Sequence, residues 1–563
     1  MMHTAAELLA NSLKERGVRH AFGVSGGAIS FFWSALGAAG VDVTHFRQES
    51  GAAFAACEAS IATGEPVVVF VTSGPGLTNV LTGIYAARHE AARVVLVSAH
   101  TDAAMQGRHS IQETGPRTFP QEGIFTSGAW FDYATMVSRP EQVLDALAEL
   151  DALATRPTGF VAHISLSLSV QRLQAPAGDS VSPVTPGPHD AEVALPGQAH
   201  EVYSLLRDKS WAIWVGGGAR ASARPVRRLV DLAGVPTMAT PRGKGVVAET
   251  DPHYLGVTGF AGHSSVLEFL QHSRPEYMLV LGTGMGDFAS GYHVGYAPQT
   301  AFIHVDLDNS VLRAAYPTIA TVPVVAELGA FCEELARLIE DDQAVSRVAG
   351  AIASPFEQKQ ARSAGRLVDP RYLIEVIQTV LVDRGVPVMA ETGNGLAWAV
   401  NGLRISDPTQ WRAPSGLVGA MGHFAAGVVG AALATSRTWA AIVGDGSMLM
   451  NNEISTAVHR AAPAIWVVLN DARYNMCEQG AEVLGLTNVD CSMPETDFAA
   501  AAIALGARGL LVDRAEDLSL ALRSAVDVGG PVVVDVRIDP LPPAPTAGRN
   551  AGLLRASAPE GVH

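Results

Sequence analysis

Two acidic residues stand where apolar runs stop. The run Ala440 to Val443 ends in Gly444-Asp445-Gly446-Ser447, and a second run, Ala464 to Leu469, ends in Asn470-Asp471. A helix-like segment lies between them, so the order is strand, glycine-rich turn, helix, strand. In a parallel sheet the carboxyl ends of both strands share one edge, the edge at which such sheets bind ligands. Two carboxylates there suit a divalent cation, and the glycines let backbone N–H groups approach an anion, so the pair could hold a metal-clamped diphosphate. Read alone, the block is as well explained by an ordinary strand–helix–strand turn with incidental acids.

A third acid, Glu49, opens a helix of small residues after the strand that ends His45-Phe46. A lone Glu there is more often a solvated residue favoured by the helix dipole. Its neighbours differ from that picture: the alanine-rich helix is followed by VVVFVTSGPGLTN, with a tight turn at Gly74-Pro75-Gly76. Further on, Glu391-Thr392-Gly393-Asn394-Gly395 follows the apolar run VPVMA, and Gly419-Ala420-Met421-Gly422 precedes a stretch of glycine and alanine. A methionine in such a place is by default a core residue.

The elements that must position these residues alternate helix and strand. Over residues 1–175 the pattern predicts a helix at 4–16, strands at 21–24, 41–46, 66–72 and 93–98, and helices at 50–62 and 77–87. Residues 196–345 continue with strands at 211–215, 235–238, 277–281 and 301–305, and residues 369–538 make a third such unit. This alternation argues for α/β architecture: three doubly wound parallel-sheet domains. The Pro-, Gly- and Ser-rich stretch 176–195 and the polar stretch 346–368 read as linkers, and the tail 539–563, which shows no periodicity, reads as either disordered or a strap lying over the surface. Domains one and three could be related folds.

The chain of 563 residues is long enough for about three domains. With 48% hydrophobic and 17% charged residues it has no disorder signature. A net charge of −16 gives no reason to expect nucleic acid as a partner. Cys57, Cys332, Cys477 and Cys491 are widely spaced and indicate neither zinc nor a disulfide framework. The N-terminus reads as an amphipathic helix, not a signal peptide. Residues 416–434 are long enough to mimic a membrane span. Their glycine and alanine content favours a buried, close-packed helix, so no membrane association and a cytoplasmic location are expected.

Taken together, the motifs resemble those of thiamine-diphosphate-dependent enzymes, over about residues 5–538, with the acetolactate synthase-like branch the nearest. The resemblance implies a pyrimidine-binding domain (1–175), a central Rossmann-like domain (196–345) and a diphosphate-binding domain (369–538). It implies Mg²⁺ held by Asp445, Asp471 and the backbone carbonyl of Arg473. Asp471 replaces the second Asn of the family's motif and keeps an oxygen ligand. Gly446, Ser447, Tyr474, Asn475 and Met476 border that site, where the family often has Tyr-Gly-Met. Gly393, Asn394 and Gly395 would contact the diphosphate. A Gly419 carbonyl would accept from the 4′-amino group, and Met421 would wedge the two rings into a V. Pro75 and Asn79 would lie near the pyrimidine. Glu49 would hydrogen-bond N1′ and favour the imino tautomer that deprotonates C2, a role glutamine could not fill. Trp398 matches a Trp of acetolactate synthases.

The implied activity is decarboxylation of a 2-keto acid followed by carboligation to a second carbonyl compound. The alternatives are a non-ligating decarboxylase and a catalytically silent homologue. The active site would form between subunits, so a homodimer or homotetramer is implied. The chain departs from the family at several places. The segment Thr283-Gly284-Met285-Gly286-Asp287-Phe288 replaces the motif that accompanies FAD in the central domain, and FAD is the lesser alternative there. The family's Phe-Gln-Glu appears as Phe119-Pro120-Gln121-Glu122. Gln121 is the candidate polar group near the reacting carbon, with Gln112-Glu113 as a competing match. Gly480 stands where acetolactate synthases have a Trp, which suggests a larger or unusual acceptor. His423, beside the Met wedge, is a candidate for reaching substrate.

Overall fold

The computed structural model describes residues 3–175, 196–342, 352, 354–356, 367–450 and 453–556. The linker expected over 176–195 and most of that over 346–368 lie outside the described residues.

Three six-stranded parallel sheets carry the chain. The first contains β1 (His20–Val24), β2 (Asp42–His45), β3 (Val67–Val71), β4 (Arg93–His100), β5 (Tyr133–Val137) and β6 (Phe160–Ser167), in the order β2-β1-β3-β4-β6-β5. The second contains β7 (Trp211–Val215), β8 (Thr237–Ala239), β9 (Tyr254–Val257), β10 (Tyr277–Leu281), β11 (Ala301–Asp306) and β12 (Thr321–Val325), in the order β12-β11-β10-β7-β8-β9. The third contains β13 (Val388–Ala390), β14 (Trp411–Arg412), β15 (Trp439–Gly444), β16 (Ala464–Asn470), β17 (Arg508–Val512) and β18 (Val532–Arg537), in the order β14-β13-β15-β16-β18-β17. The first and third sheets thus share one topology, as two related units would. In that order the chain reverses direction of winding between β1 and β3, and again between β13 and β15, and ligands bind at such switch points.

The inner strands read as unbroken apolar runs because helices cover both faces. All five residues of β3 and all seven of β16 are buried. The first and third units share one core: Phe22, Val69 and Leu96 belong to the same cluster as Met389, Phe424 and Trp466. Its seam is the pairing of helix Glu49–Thr63 with helix His423–Thr435, both rich in alanine and buried nearly all round. The second of these occupies the stretch that mimicked a membrane span. Among the described residues no helix is long and apolar enough to cross a membrane.

In the tail, residues Ala547–Ala556 form a helix that packs on helix Asn475–Val483.

Candidate active site

The switch point of the third sheet gathers the two acidic turns. Strand β15 delivers Asp445 as the first residue of helix Asp445–Met450, where its Oδ1 accepts from the Gly446 N–H at 2.7 Å. The backbone N–H groups of residues 471–473 also favour its charged form, yet burial is the larger effect and raises its carboxyl above the usual range. Strand β16 delivers Asp471, whose Oδ2 accepts from Asn475 Nδ2 at 2.7 Å. Burial pushes the Asp471 carboxyl to about 6; Asn475 opposes this, and the charge of Asp445 adds to it. Two close carboxylates that disfavour each other's ionisation are a site a cation would relieve. The turn between them is tight: Ala472 has φ of +54°.

Strand β13 delivers Glu391-Thr392-Gly393-Asn394 beside β15. Glu391 is fully buried. It accepts from the N–H groups of Phe424 (2.7 Å), Ala425 (3.2 Å) and Thr392 (3.1 Å). It therefore ties the β13 turn to the start of helix His423–Thr435. Gly393 has φ of +131° and faces open space. The wedge closes the other side: a Cβ on Gly446 would lie 2.6 Å from the Tyr474 ring and 3.3 Å from Met421 Cε. Three buried side-chain oxygens here, Asp445 Oδ2, Asn394 Oδ1 and Thr392 Oγ1, have no hydrogen-bond partner. Orphaned buried polar atoms call for an occupant. Hard oxygen donors beside the starts of helices Asn394–Gly402 and Asp445–Met450 fit a magnesium-clamped diphosphate.

The first sheet assembles a second cluster. Glu49 starts its helix, Asn79 Nδ2 donates to Glu49 Oε2 at 3.1 Å, and a Cβ on Gly76 would lie 3.7 Å from Glu49 Oε1. Gly74 has φ of +62°, a conformation that favours glycine. Its N–H donates to Thr114 Oγ1 at 2.6 Å, and a Cβ on it would lie 2.9 Å from Gln112 Cβ. Gln112 therefore abuts this cluster. Gln121 lies one loop further on, exposed, with its backbone carbonyl accepting from Phe125. The competing match is the one the fold brings to the turn, because the intervening loop carries Gln121 outward.

His423 is not at the cleft. It is 1% exposed, stacks on Phe54 and places Nε2 3.0 Å from Glu58 Oε1. It belongs to a buried network of Glu58, Glu90, Arg242 and Arg412 that joins the three units. Cys57, Glu58 and His423 lie close enough to hold a metal, but Arg412 already engages both oxygens of Glu58. Sequence reasoning missed this network, and it missed Glu453. The Glu453 carboxylate accepts from the N–H groups of Arg47 (3.1 Å) and Gln48 (3.2 Å), so a third-unit residue holds the corner that leads into Glu49. Burial raises the Glu453 carboxyl. A run of polar residues at 451–453 was the sole local signal.

In the central unit the glycine turns pack on each other. Gly218 N–H donates to the Gly282 carbonyl at 2.9 Å, and a Cβ on Gly216 would lie 2.4 Å from that same oxygen. Close approach of two loops accounts for these glycines. The expected gap at Gly480 is also occupied. A Cβ there would lie 3.2 Å from Arg549 Nη1 and 3.6 Å from Leu553 Cδ1, both from the tail helix.

The sequence and the fold have counterparts among known proteins. Residues 3–118 match the model of the thiamine pyrophosphate enzyme N-terminal TPP binding domain, 201–335 its central domain and 391–536 its C-terminal TPP binding domain. The chain is 27% identical to acetolactate synthase isozyme 2 large subunit of Escherichia coli, covering 98% of this chain and 99% of that one. It is 25% identical to isozyme 1 large subunit of the same organism, covering 95% and 94%. Its fold matches the crystal structure of benzoylformate decarboxylase from Polynucleobacter necessarius with a TM-score of 0.83 at 19% identity, covering 96% of this chain and 99% of that one.

Proposed function

The chain belongs to the thiamine pyrophosphate enzyme family, in its acetolactate synthase-like branch, and from that premise we propose that it decarboxylates a 2-keto acid and couples the remaining acyl unit to a second carbonyl compound. The observation that carries this reading is the set of orphaned oxygens at the third sheet's switch point, set beside the Asp445–Asp471 pair. Thiamine diphosphate, when bound, supplies the electron sink for loss of CO₂. The chain's own residues do the rest. Asp445, Asp471 and the Arg473 carbonyl would hold Mg²⁺, and Thr392, Gly393 and Asn394 would contact phosphate oxygens. Met421 and Tyr474 shape the space above Gly446. Glu49, oriented by Asn79, would hold a proton against the ring nitrogen of the aminopyrimidine. Gln112 offers an amide beside the same turn. In this reading Glu49 of one copy serves the third-unit cleft of a partner copy, and the working enzyme is at least a dimer.

The test is incubation with thiamine diphosphate, Mg²⁺ and pairs of 2-keto acids and carbonyl acceptors, with products identified by mass spectrometry. Coupled products support the reading. Aldehyde alone under every acceptor would replace it with simple decarboxylation, and no turnover would overturn both.

A further inference from the structure

A cleft of about 620 Å³ runs along helix Ala223–Ala233 of the central unit, with the third unit's turn at 407–409 as its other wall. That volume is in the range of small-molecule sites, roughly 300–1,000 Å³. Arg220, Arg224, Arg227 and Arg228 line it. The glycine turns at 216–218 and 282–284 do not, so the cleft is separate from the sheet edge where those turns close on each other. Positions 220, 224 and 227 are four and three residues apart, the spacing of one helical face.

The four arginines differ in their partners. Arg228 is neutralised by Glu333 and Glu340. Arg227 donates to the carbonyls of Gly245, Val246 and Ser406, and to no carboxylate among the described residues. Arg220 donates from Nη2 to the Pro408 carbonyl, while its buried Nη1 has no partner. The exposed Arg224 has no carboxylate within ion-pair reach among the described residues. Asp231 and Asp407 also line the cleft, two acids against three guanidinium groups without a carboxylate. Asp407 is engaged in its own turn, where Oδ1 accepts from the Thr409 N–H at 2.8 Å and from its hydroxyl at 2.7 Å. Arg220 is held down at about 9, chiefly by burial and then by the like charges of Arg412 and Arg242, against Glu58 and Glu90. An anion at its free nitrogen would relieve that cost. Three guanidinium groups along one face exceed what a single carboxylate can engage, and phosphate oxygens suit such forks.

We propose that this cleft binds a small anion carrying two phosphate groups, held by Arg220, Arg224 and Arg227. No bond forms or breaks. The ligand supplies the counter-charge that the chain itself leaves out where the central and third units meet.

The experiment uses the full-length enzyme with thiamine diphosphate and Mg²⁺ both in excess, so that the coenzyme's own diphosphate site stays filled. Calorimetric titration with inorganic pyrophosphate should show saturable binding, and inorganic phosphate should bind more weakly. Arg224→Met alters an exposed side chain and should lower pyrophosphate affinity by about 10- to 100-fold, the worth of a charge-assisted hydrogen bond. Arg224→Lys recovers part of it, and Arg220→Met loses at least as much as Arg224→Met. Fructose 1,6-bisphosphate tells the two sources of such charge apart. Tighter binding than pyrophosphate assigns the cleft to a ligand with separated phosphates, and weaker binding to a condensed diphosphate. A wild type that binds neither probe overturns the site, as does pyrophosphate affinity within about twofold of wild type in both Arg224→Met and Arg220→Met. Inorganic phosphate bound as tightly as pyrophosphate overturns the assignment of two phosphates. The readout is binding, so each of these failures leaves the carboligase reading standing.

Discussion

Glu58 and Arg412, 354 positions apart in the chain, meet through two hydrogen bonds of 2.7 and 2.8 Å with side chains 1% and 3% exposed. Arg412 also reaches Glu90 at 3.1 Å, and Glu90 receives Arg242 of the central unit at 2.6 Å. Charges from all three units thus neutralise one another where they join. Such a pair need not be more stabilising than an apolar substitute, but removing one partner strands the other.

Arg412→Met leaves Glu58 and Glu90 facing each other out of water, with His423, Arg242 and the nearby Arg220 to balance them. The expected cost is about 3–5 kcal/mol. Urea unfolding of the variant reads it directly, and an unchanged midpoint would contradict it.

The seam between the first and third units depends on small residues. A Cβ on Gly430 would lie 2.0 Å from the backbone oxygen of Ala55, whereas one on Gly427 would lie further off, 2.7 Å from Cγ of Glu58. Gly430→Ala should lose about 1–3 kcal/mol and Gly427→Ala less. Gly37, exposed in helix Ser30–Ala38 with nothing within 4 Å, is the control, and alanine there should gain about 0.4–1 kcal/mol. Thermal melts rank the three; a Gly430→Ala protein as stable as Gly37→Ala would refute the packing argument.

Glu49→Gln keeps the size of the side chain and removes its proton. Turnover should drop by about 100-fold or more while thiamine diphosphate still binds, since the group's role lies in proton placement. Calorimetric cofactor binding together with steady-state rates separates the two effects. Full activity would refute this role for Glu49.

Asp471→Asn retains an oxygen ligand and relieves the repulsion from Asp445, so Mg²⁺-dependent cofactor binding should survive. Asp471→Ala removes the ligand and should weaken that binding by about 10- to 100-fold. Equal binding in the two variants would show that Asp471 holds no metal.

Burial holds the Glu391 carboxyl up at about 7, against an ordinary value of 4.5, although His423 and three N–H groups pull it down. Between these two values the folded chain keeps a proton that the unfolded chain has released. Stability from this group therefore falls as pH rises from 4.5 to about 7 and is level above. Glu391→Gln has no such titration, so its unfolding free energy should improve relative to wild type across that window. Urea titrations at a series of pH values test this; a difference independent of pH would count against it.

The local alphabet of this chain determined its architecture. Unbroken apolar runs ending in polar turns specify parallel strands whatever surrounds them; Asp445 and Asp471 stand out because each follows such a run, and Glu49 because it opens an alanine-rich helix that leads to one. Other positions depended on the path of loops and on residues hundreds of positions away. Whether Gln112 or Gln121 meets the Gly74 turn is decided by how one loop folds back. His423 looked like a cleft residue because it follows Met421, yet helix geometry turns it onto Glu58, a residue no local pattern pairs with it. Glu453 reaches across to the N–H groups before Glu49, and Arg549 comes from an aperiodic tail to cover Gly480. Periodicity is a property of a segment; which side chain fills a gap is a property of the packed whole, and so only the tertiary structure could settle it.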